Sequence, residues 1–278
     1  MRCGWEHLWK VKLGKRSRFG EGRHADNWRV LSLREIAFFS GYQPIPVKRA
    51  VIPVPKVIAF DRRPIPLDPY LLGVLIGDGG MSRNAVTLST ADQEILQSVA
   101  PRLPEGIRVV AIKCSCIDFR LAVKLGMRNP LVHALRELDL MGKTSANKFV
   151  PDVYRFNSAN IRLEMLRGLM DTDGSVYTDG TMEFSTISTR LADDVDFLAR
   201  SLGAKVKSSI RQTHYTYNGE RRAGKTSFRL RIRLPYIVPF RLTRKVERCF
   251  APVSTCDYRV LFRIETADKI LGSARAPH

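Results

Sequence analysis

Leu166-Arg167-Gly168-Leu169-Met170-Asp171-Thr172-Asp173-Gly174 decides the fold, and it has a twin upstream, Leu71-Leu72-Gly73-Val74-Leu75-Ile76-Gly77-Asp78-Gly79. Each reads as an apolar helix that carries one carboxylate on its last turn and stops on glycine. Asp68 caps the upstream copy and Pro69 suits a first helical turn. Gly79 and Gly80 end that helix. Ser158 is the matching cap downstream, where Ile161, Leu163, Met165, Leu166 and Leu169 supply apolar surface. Gly73 and Gly77 are four residues apart, as are Gly168 and Thr172. That spacing places small residues on one stripe, where two helix backbones approach closely. Both helices are too short to span a bilayer. Packed against each other, they bring Asp78 and Asp173 together beside the negative ends of two helix dipoles, which makes a cation site.

The chain has 278 residues, enough for one large domain or two smaller ones, and 44% of them are hydrophobic. Its net charge is +19, and no single tail holds it. Such a surface meets a polyanion, so nucleic acid is the expected partner. Cys114 and Cys116 form C-x-C, but none of the five cysteines makes a second pair at zinc-finger spacing. Reduced thiols in a cytosol are expected, with no signal peptide, membrane span or membrane partner.

Around the twin motifs the same element order recurs. After the first helix come a strand at 85–90, a helix at 91–102, strands at 107–113 and 117–123, and a helix at 129–138. After the second come a strand at 181–188, a helix at 189–202, strands at 204–212 and 226–234 and a helix at 236–245. The last two strands are joined by a loop holding Asn218-Gly219 and Gly224. Phe228-Arg229-Leu230-Arg231-Ile232-Arg233-Leu234 alternates without error, so one face packs on a core and the other presents three guanidiniums. They spread over about 13 Å, and arginines so placed contact phosphates or base edges along a groove. Lys205, Lys207, Arg211 and Lys225 extend this basic face. Arg108, Lys113 and Arg120 are the sparser counterparts in the first copy.

The twin nonamers resemble the LAGLIDADG motif of homing endonucleases, in its two-motif, single-chain form. The resemblance implies an α+β fold of two pseudo-symmetric αββαββα repeats, at 66–157 and 158–264, whose antiparallel sheets form a saddle over double-stranded DNA. A tail follows at 265–278. It also implies a monomer that makes site-specific double-strand breaks in a long target. The cofactor would be Mg²⁺, with Mn²⁺ or Ca²⁺ as substitutes for binding. Asp78 and Asp173 would hold it, with Gly77 and Thr172 adjoining. Lys148 trails Asp78 by 70 residues and Lys245 trails Asp173 by 72. Lys148-Phe149-Val150-Pro151 resembles the Lys-x-Ile-Pro element that carries an active-site lysine in intein endonucleases, and Lys245 looks like its second copy. Lysines there would activate water or stabilise phosphate charge.

Residues 1–65 differ from the rest, with Trp5, Trp9 and Trp28, many basic residues and prolines from Pro44 to Pro66. Residues 3–11 and 28–36 resemble parts of an intein splicing domain, although Gly4 stands where the family has threonine. A first-residue nucleophile and a terminal His-Asn are absent, so an intein endonuclease without splicing ends is the expectation, in a prokaryotic, phage or archaeal cytoplasm. A basic arm on a free-standing enzyme is the other reading of this segment. A non-cleaving RNA maturase or regulator on the same scaffold, and an autoprocessing intein, are the rival functions. Asp171-Thr172-Asp173-Gly174 follows a helix, which excludes the hairpin Asp-Thr-Gly of aspartic proteases. The loop lacks the glutamate of an EF-hand.

Overall fold

The computed structural model describes residues 4–13, 28–39, 50–53, 56–82, 85–113, 115–217, 219–234, 237–249 and 258–260. Cys3, Pro44, Cys114, Asn218, Tyr236 and the tail 265–278 lie outside the described residues. The chain divides into two compact units: Met1–Val54 with Thr255–His278, and Pro55–Ser254. Residues 55–65, read in the sequence as part of the N-terminal segment, fall in the second unit. The reason is local: Ile58 N donates to Ser201 O at 2.8 Å, and Asn157 binds both N and O of Arg63 at 3.1 Å.

The first unit holds β1 (Leu8–Leu13), β2 (Arg29–Ser32), α1 (Leu33–Phe39) and β3 (Ala50–Pro53). A small cluster of Val11 and Ile36, with Trp9, Leu31 and Ile52 beside it, forms its described core.

The second unit begins with α2 (Pro69–Asp78), β4 (Gly79–Ser82), β5 (Ala85–Ser89), α3 (Gln93–Val99), β6 (Arg108–Ala111), β7 (Asp118–Ala122) and α4 (Pro130–Glu137). After the short α5 (Asp152–Arg155) the order returns as α6 (Ala159–Asp173), β8 (Gly174–Val176), β9 (Met182–Thr186), α7 (Thr189–Ser201), β10 (Lys205–Tyr217), β11 (Glu220–Arg233) and α8 (Thr243–Cys249). Each repeat has a four-stranded antiparallel sheet, in the orders β4-β5-β7-β6 and β8-β9-β11-β10. The final strand, β12 (Tyr258–Val260), pairs with β3 to complete the sheet β12-β3-β1-β2 of the first unit.

The motif helices are the centre of the second unit. Tyr70 to Ile76 on α2 and Met165, Leu166, Leu169 and Met170 on α6 are buried in one continuous core. An added Cβ on Gly73 would lie 3.0 Å from the Gly168 Cα, and one on Gly168 would lie 2.8 Å from the Val74 amide nitrogen. One on Gly77 would strike the Thr172 side chain. The helices therefore touch backbone to backbone, a separation only small residues permit.

Three local expectations are corrected, while Gly79 and Gly174 end the motif helices as expected, in extended backbone with φ of −82° and −93°. Glycine is required because each helix passes straight into a strand. A Cβ would come within 2.8 Å of the Leu75 and Met170 Cα atoms. Ser158 occupies the N-cap position without a side-chain cap bond, whereas Asp68 accepts from the Tyr70 and Leu71 amides. The strands of the second hairpin continue to Tyr217 and resume at Glu220, with a register shift between Gln212 and His214. Gly224 sits inside that irregularity against Thr213, so it accommodates a bulge instead of breaking the strand. The helix read over 236–245 starts only at Thr243. Pro239 disfavours helix before it, and the amides of Arg241 and Leu242 turn away to bind Asp171.

Candidate active site

Asp78 and Asp173 are the last residues of α2 and α6. Because the helices are in contact along their small-residue stripe, the carboxylates share one end of the pair. Burial pushes Asp78 above the usual carboxylate range against the pull of Lys148 and Lys245. Crowding by protein, and then the Asp78 charge, push Asp173 up to about 6. Asp173 still opens onto solvent, and Asp78 is half-buried. Two like charges on a crowded floor that opens to water suit a hard divalent cation, and all their donor atoms are oxygens. Among the described residues, no cluster of three His, Cys, Asp or Glu side chains forms a fuller cage.

Lys148 and Lys245 lie beneath the carboxylates and are almost fully buried. Lys148 Nζ donates to the carbonyls of Leu75 (3.2 Å), Gly77 (3.2 Å) and Gly79 (2.6 Å). Lys245 Nζ donates to those of Met170 (2.9 Å), Asp171 (2.7 Å) and Gly174 (2.6 Å). An ammonium has three N–H donors, so each lysine has its donors committed to the end of a motif helix. This geometry departs from the expectation of lysines that activate water. They offset the partial negative charge of the helix C-termini directly below the carboxylates. Burial lowers both to about 8, while Asp173 and Asp78 pull Lys148 upward and Asp171 does the same for Lys245. The carbonyl of Gly77 is taken up by Lys148. The hydroxyl of Thr172 donates to Gly168 O and Leu169 O, at 3.1 and 2.9 Å.

Asp171 is a part of the site that the sequence reading did not assign. It is buried and accepts from the Tyr70 hydroxyl at 2.9 Å and from the Arg241 and Leu242 amides at 3.1 and 3.2 Å. It therefore holds the segment that delivers Lys245. Its counterpart in the first motif is Ile76, so the position carries no periodic signal.

The basic face has a definite register. Lys205 pairs with Arg233, Lys207 with Arg231 and Ser209 with Arg229, so these residues share one face while Leu230 and Ile232 face the core. Arg231, Arg233, Lys207, Arg211 and Lys225 are exposed. The face also holds an acid from the neighbouring strand. Glu183 of β9 is buried opposite Arg231, 3.3 Å from Arg229 and 3.7 Å from Arg231. Asp179 lies 3.6 Å from Arg233. In the first repeat Arg108 and Arg120 are exposed on one face together with Val110, and Lys113 is exposed in the β6–β7 loop.

Residues 160–234 match the family model described as a LAGLIDADG-like domain. The second repeat therefore carries a LAGLIDADG-like domain. The matched segment runs from α6 to the end of β11. The other motif helix, α2, opens the first repeat. Replicative DNA helicase DnaB of Mycobacterium intracellulare is 30% identical over 144 residues, covering 52% of this chain and 20% of the helicase. The chain thus spans a fifth of the length of that relative. Solved structures of mesophilic variants of the homing endonuclease I-DmoI align at a TM-score of 0.39 and 14% identity, covering 69% of this chain and 97% of theirs. A variant of I-DmoI in complex with its target DNA in the presence of Mg aligns at 0.39 and 16%, covering 61% of this chain and 89% of its own. No described helix is long and apolar enough to cross a membrane.

Proposed function

We propose that this chain is a site-specific endonuclease that hydrolyses one phosphodiester in each strand of a long double-stranded DNA site. The observation that carries the reading is the pairing of Asp78 and Asp173 at the ends of two touching helices, each floored by a lysine. Asp78 and Asp173 would hold Mg²⁺ (Mn²⁺ or Ca²⁺ as substitutes for binding), with Gly77 and Thr172 adjoining. Bound there, the cation supplies an activated water and neutralises charge on the phosphate. Lys148 and Lys245 keep the two helix ends in place and offset negative charge below the carboxylates. Arg229, Arg231, Arg233, Lys205, Lys207, Arg211 and Lys225 would follow one half of the site, and Arg108, Lys113 and Arg120 the other. DNA phosphates would displace the ion pairs of Glu183 and Asp179 with the arginines. The test is cleavage of a library of long duplex sites with and without Mg²⁺. Metal-dependent cutting of both strands at one sequence supports the reading, and binding without cutting under any divalent cation overturns it.

A second reading concerns the first unit. The whole endonuclease unit enters the sequence between β3 and β12, two strands that pair with each other as Val51↔Val260. An endonuclease inserted into a small β domain is the arrangement of an intein. Deletion of residues 55–254, with 1–54 joined to 255–278 by a short flexible linker, tests the insertion: a product that folds cooperatively with β-sheet circular dichroism supports it, and one that stays unfolded opposes it.

A further inference from the structure

Each lysine under the carboxylates caps the motif helix of one repeat, and its segment is tied to the other repeat. The Lys148 carbonyl accepts from Ser188 Oγ at 2.8 Å, and the Val150 amide donates to Asp194 Oδ2 at 2.8 Å. Ser188 is the N-cap of α7 and Asp194 lies on that helix, both in the second repeat. Lys245 is reached from the opposite side. The Thr243 amide donates to Glu94 Oε2 at 2.8 Å, and Arg244 binds Asp92 at 2.7 and 3.3 Å. Asp92 is the N-cap of α3 and Glu94 lies in its first turn, both in the first repeat. Asp92 and Ser188 occupy equivalent places as the N-caps of each repeat's second helix, and Asp194 lies in the second turn of α7.

We propose that Asp92 and Glu94, with Ser188 and Asp194, are positioning residues that set the lysine of the opposite half-site through two reciprocal latches. The inference rests on the endonuclease reading given above. Neither pair touches the reacting atoms. Each acts by fixing the backbone from which a lysine reaches three helix-end carbonyls. When one latch opens, that lysine withdraws, the carbonyls under one aspartate lose their donor, and only that half-site is disturbed.

The two latches differ in accessibility. Asp194 and Ser188 are fully buried, and Asp194 also takes Arg155 Nη1 at 2.6 Å. The side chains of Asp92 and Arg244 are 35% and 56% exposed. Salt therefore screens the latch that serves Lys245 and spares the one that serves Lys148.

The test reads the lysines in the DNA-free full chain. A brief pulse of acetic anhydride acylates accessible amines, and mass spectrometry reports Lys148 and Lys245 separately. Asp92→Arg should raise acylation of Lys245 by about three- to tenfold, the range expected from loss of a surface ion pair plus a like-charge contact, and leave Lys148 protected. Asp92→Arg combined with Arg244→Asp should restore protection. Ser188→Ala should raise Lys148 alone. Raising salt should expose Lys245 before Lys148. On an end-labelled duplex target, the Asp92→Arg and Ser188→Ala chains should accumulate nicks in opposite strands. Equal labelling of both lysines in either variant, unchanged labelling, or failure of the charge swap to rescue would overturn the latches. If the parent chain cuts no DNA, the endonuclease reading fails, while the acylation pattern still decides whether the latches exist.

Discussion

In the first repeat the outer hairpin is made of β6 and β7, four and five residues long, joined by residues 112–117. In the second, β10 and β11 run for 13 and 14 residues and continue well past the last residue paired with β9. The faces differ as well. The second carries Lys205, Lys207, Arg229, Arg231 and Arg233 in register, while the first sets Arg108 and Arg120 beside the apolar Val110. At the helix ends the repeats are alike: one aspartate, one lysine and three capped carbonyls each. The centre is constrained because two helices that touch through glycine leave a single geometry for their ends. The outer faces of the hairpins are largely solvent-exposed, so no comparable packing contact fixes their side chains.

The centre gives the largest expected effect. Asp78→Asn and Asp173→Asn should each reduce double-strand cleavage by roughly 10³-fold, the scale of several kcal/mol of lost charge stabilisation, while DNA affinity stays near the parent value. A gel resolving nicked from linear product reads both steps. A single variant that cuts both strands at the parental rate would show that the halves do not share a site.

Next comes the helix contact. Gly168→Leu would push a side chain into the Val74 and Gly73 backbone, and Gly77→Leu would meet Thr172. Such overpacking costs about 1–3 kcal/mol. Cleavage should fall further than stability, because catalytic geometry tolerates displacements of only about 0.5 Å. Variants that melt and cut like the parent would mean the repeats do not depend on this contact.

The difference between the rims can be measured directly. Replacing Arg229, Arg231 and Arg233 with alanine should weaken DNA binding and flatten the plot of log affinity against log salt by about 3 units, near one per lost phosphate contact. Replacing Arg108 and Arg120 should flatten it by about 2. Equal slopes for the parent and both variants would place these faces away from DNA.

The smallest effect is on stability and pH. Asp173 ionises near pH 6 in the fold, against an ordinary value of 3.8. The folded chain therefore holds its proton more tightly than the unfolded chain. Stability from this group is present below pH 3.8 and is lost as pH rises through about 6. Asp173→Asn should thus melt higher than the parent at pH 7.5. Solvent screening at this open carboxylate limits the gain to about 1 kcal/mol, or about 2–4 °C, and the advantage should vanish by pH 4. A variant that melts lower at pH 7.5 would contradict the crowded pair.

Much of the architecture could be read from neighbouring residues. The apolar runs ending in Asp-Gly, the stripe of Gly73, Gly77, Gly168 and Thr172, and the Arg-apolar alternation of β11 are patterns within a few residues, and backbone periodicity converts such patterns into faces. The hairpin ends and the late start of α8 do not follow from local pattern. Gly224 and the segment around Pro239 have local preferences that a bulge and a distant carboxylate reinterpret.

The amino-acid sequence by itself determined that two acid-tipped helices and a basic strand exist, because each is set by residues three, four or two positions apart. Only the tertiary structure decided what those elements meet. Asp171 draws the amides of residues 241 and 242 across 70 positions, Glu183 is seated among arginines of another strand, and Asp92 finds Arg244 across 152. Such partners are chosen by packing over the whole unit, where burial makes an unpaired polar group costly, and no local spacing encodes them.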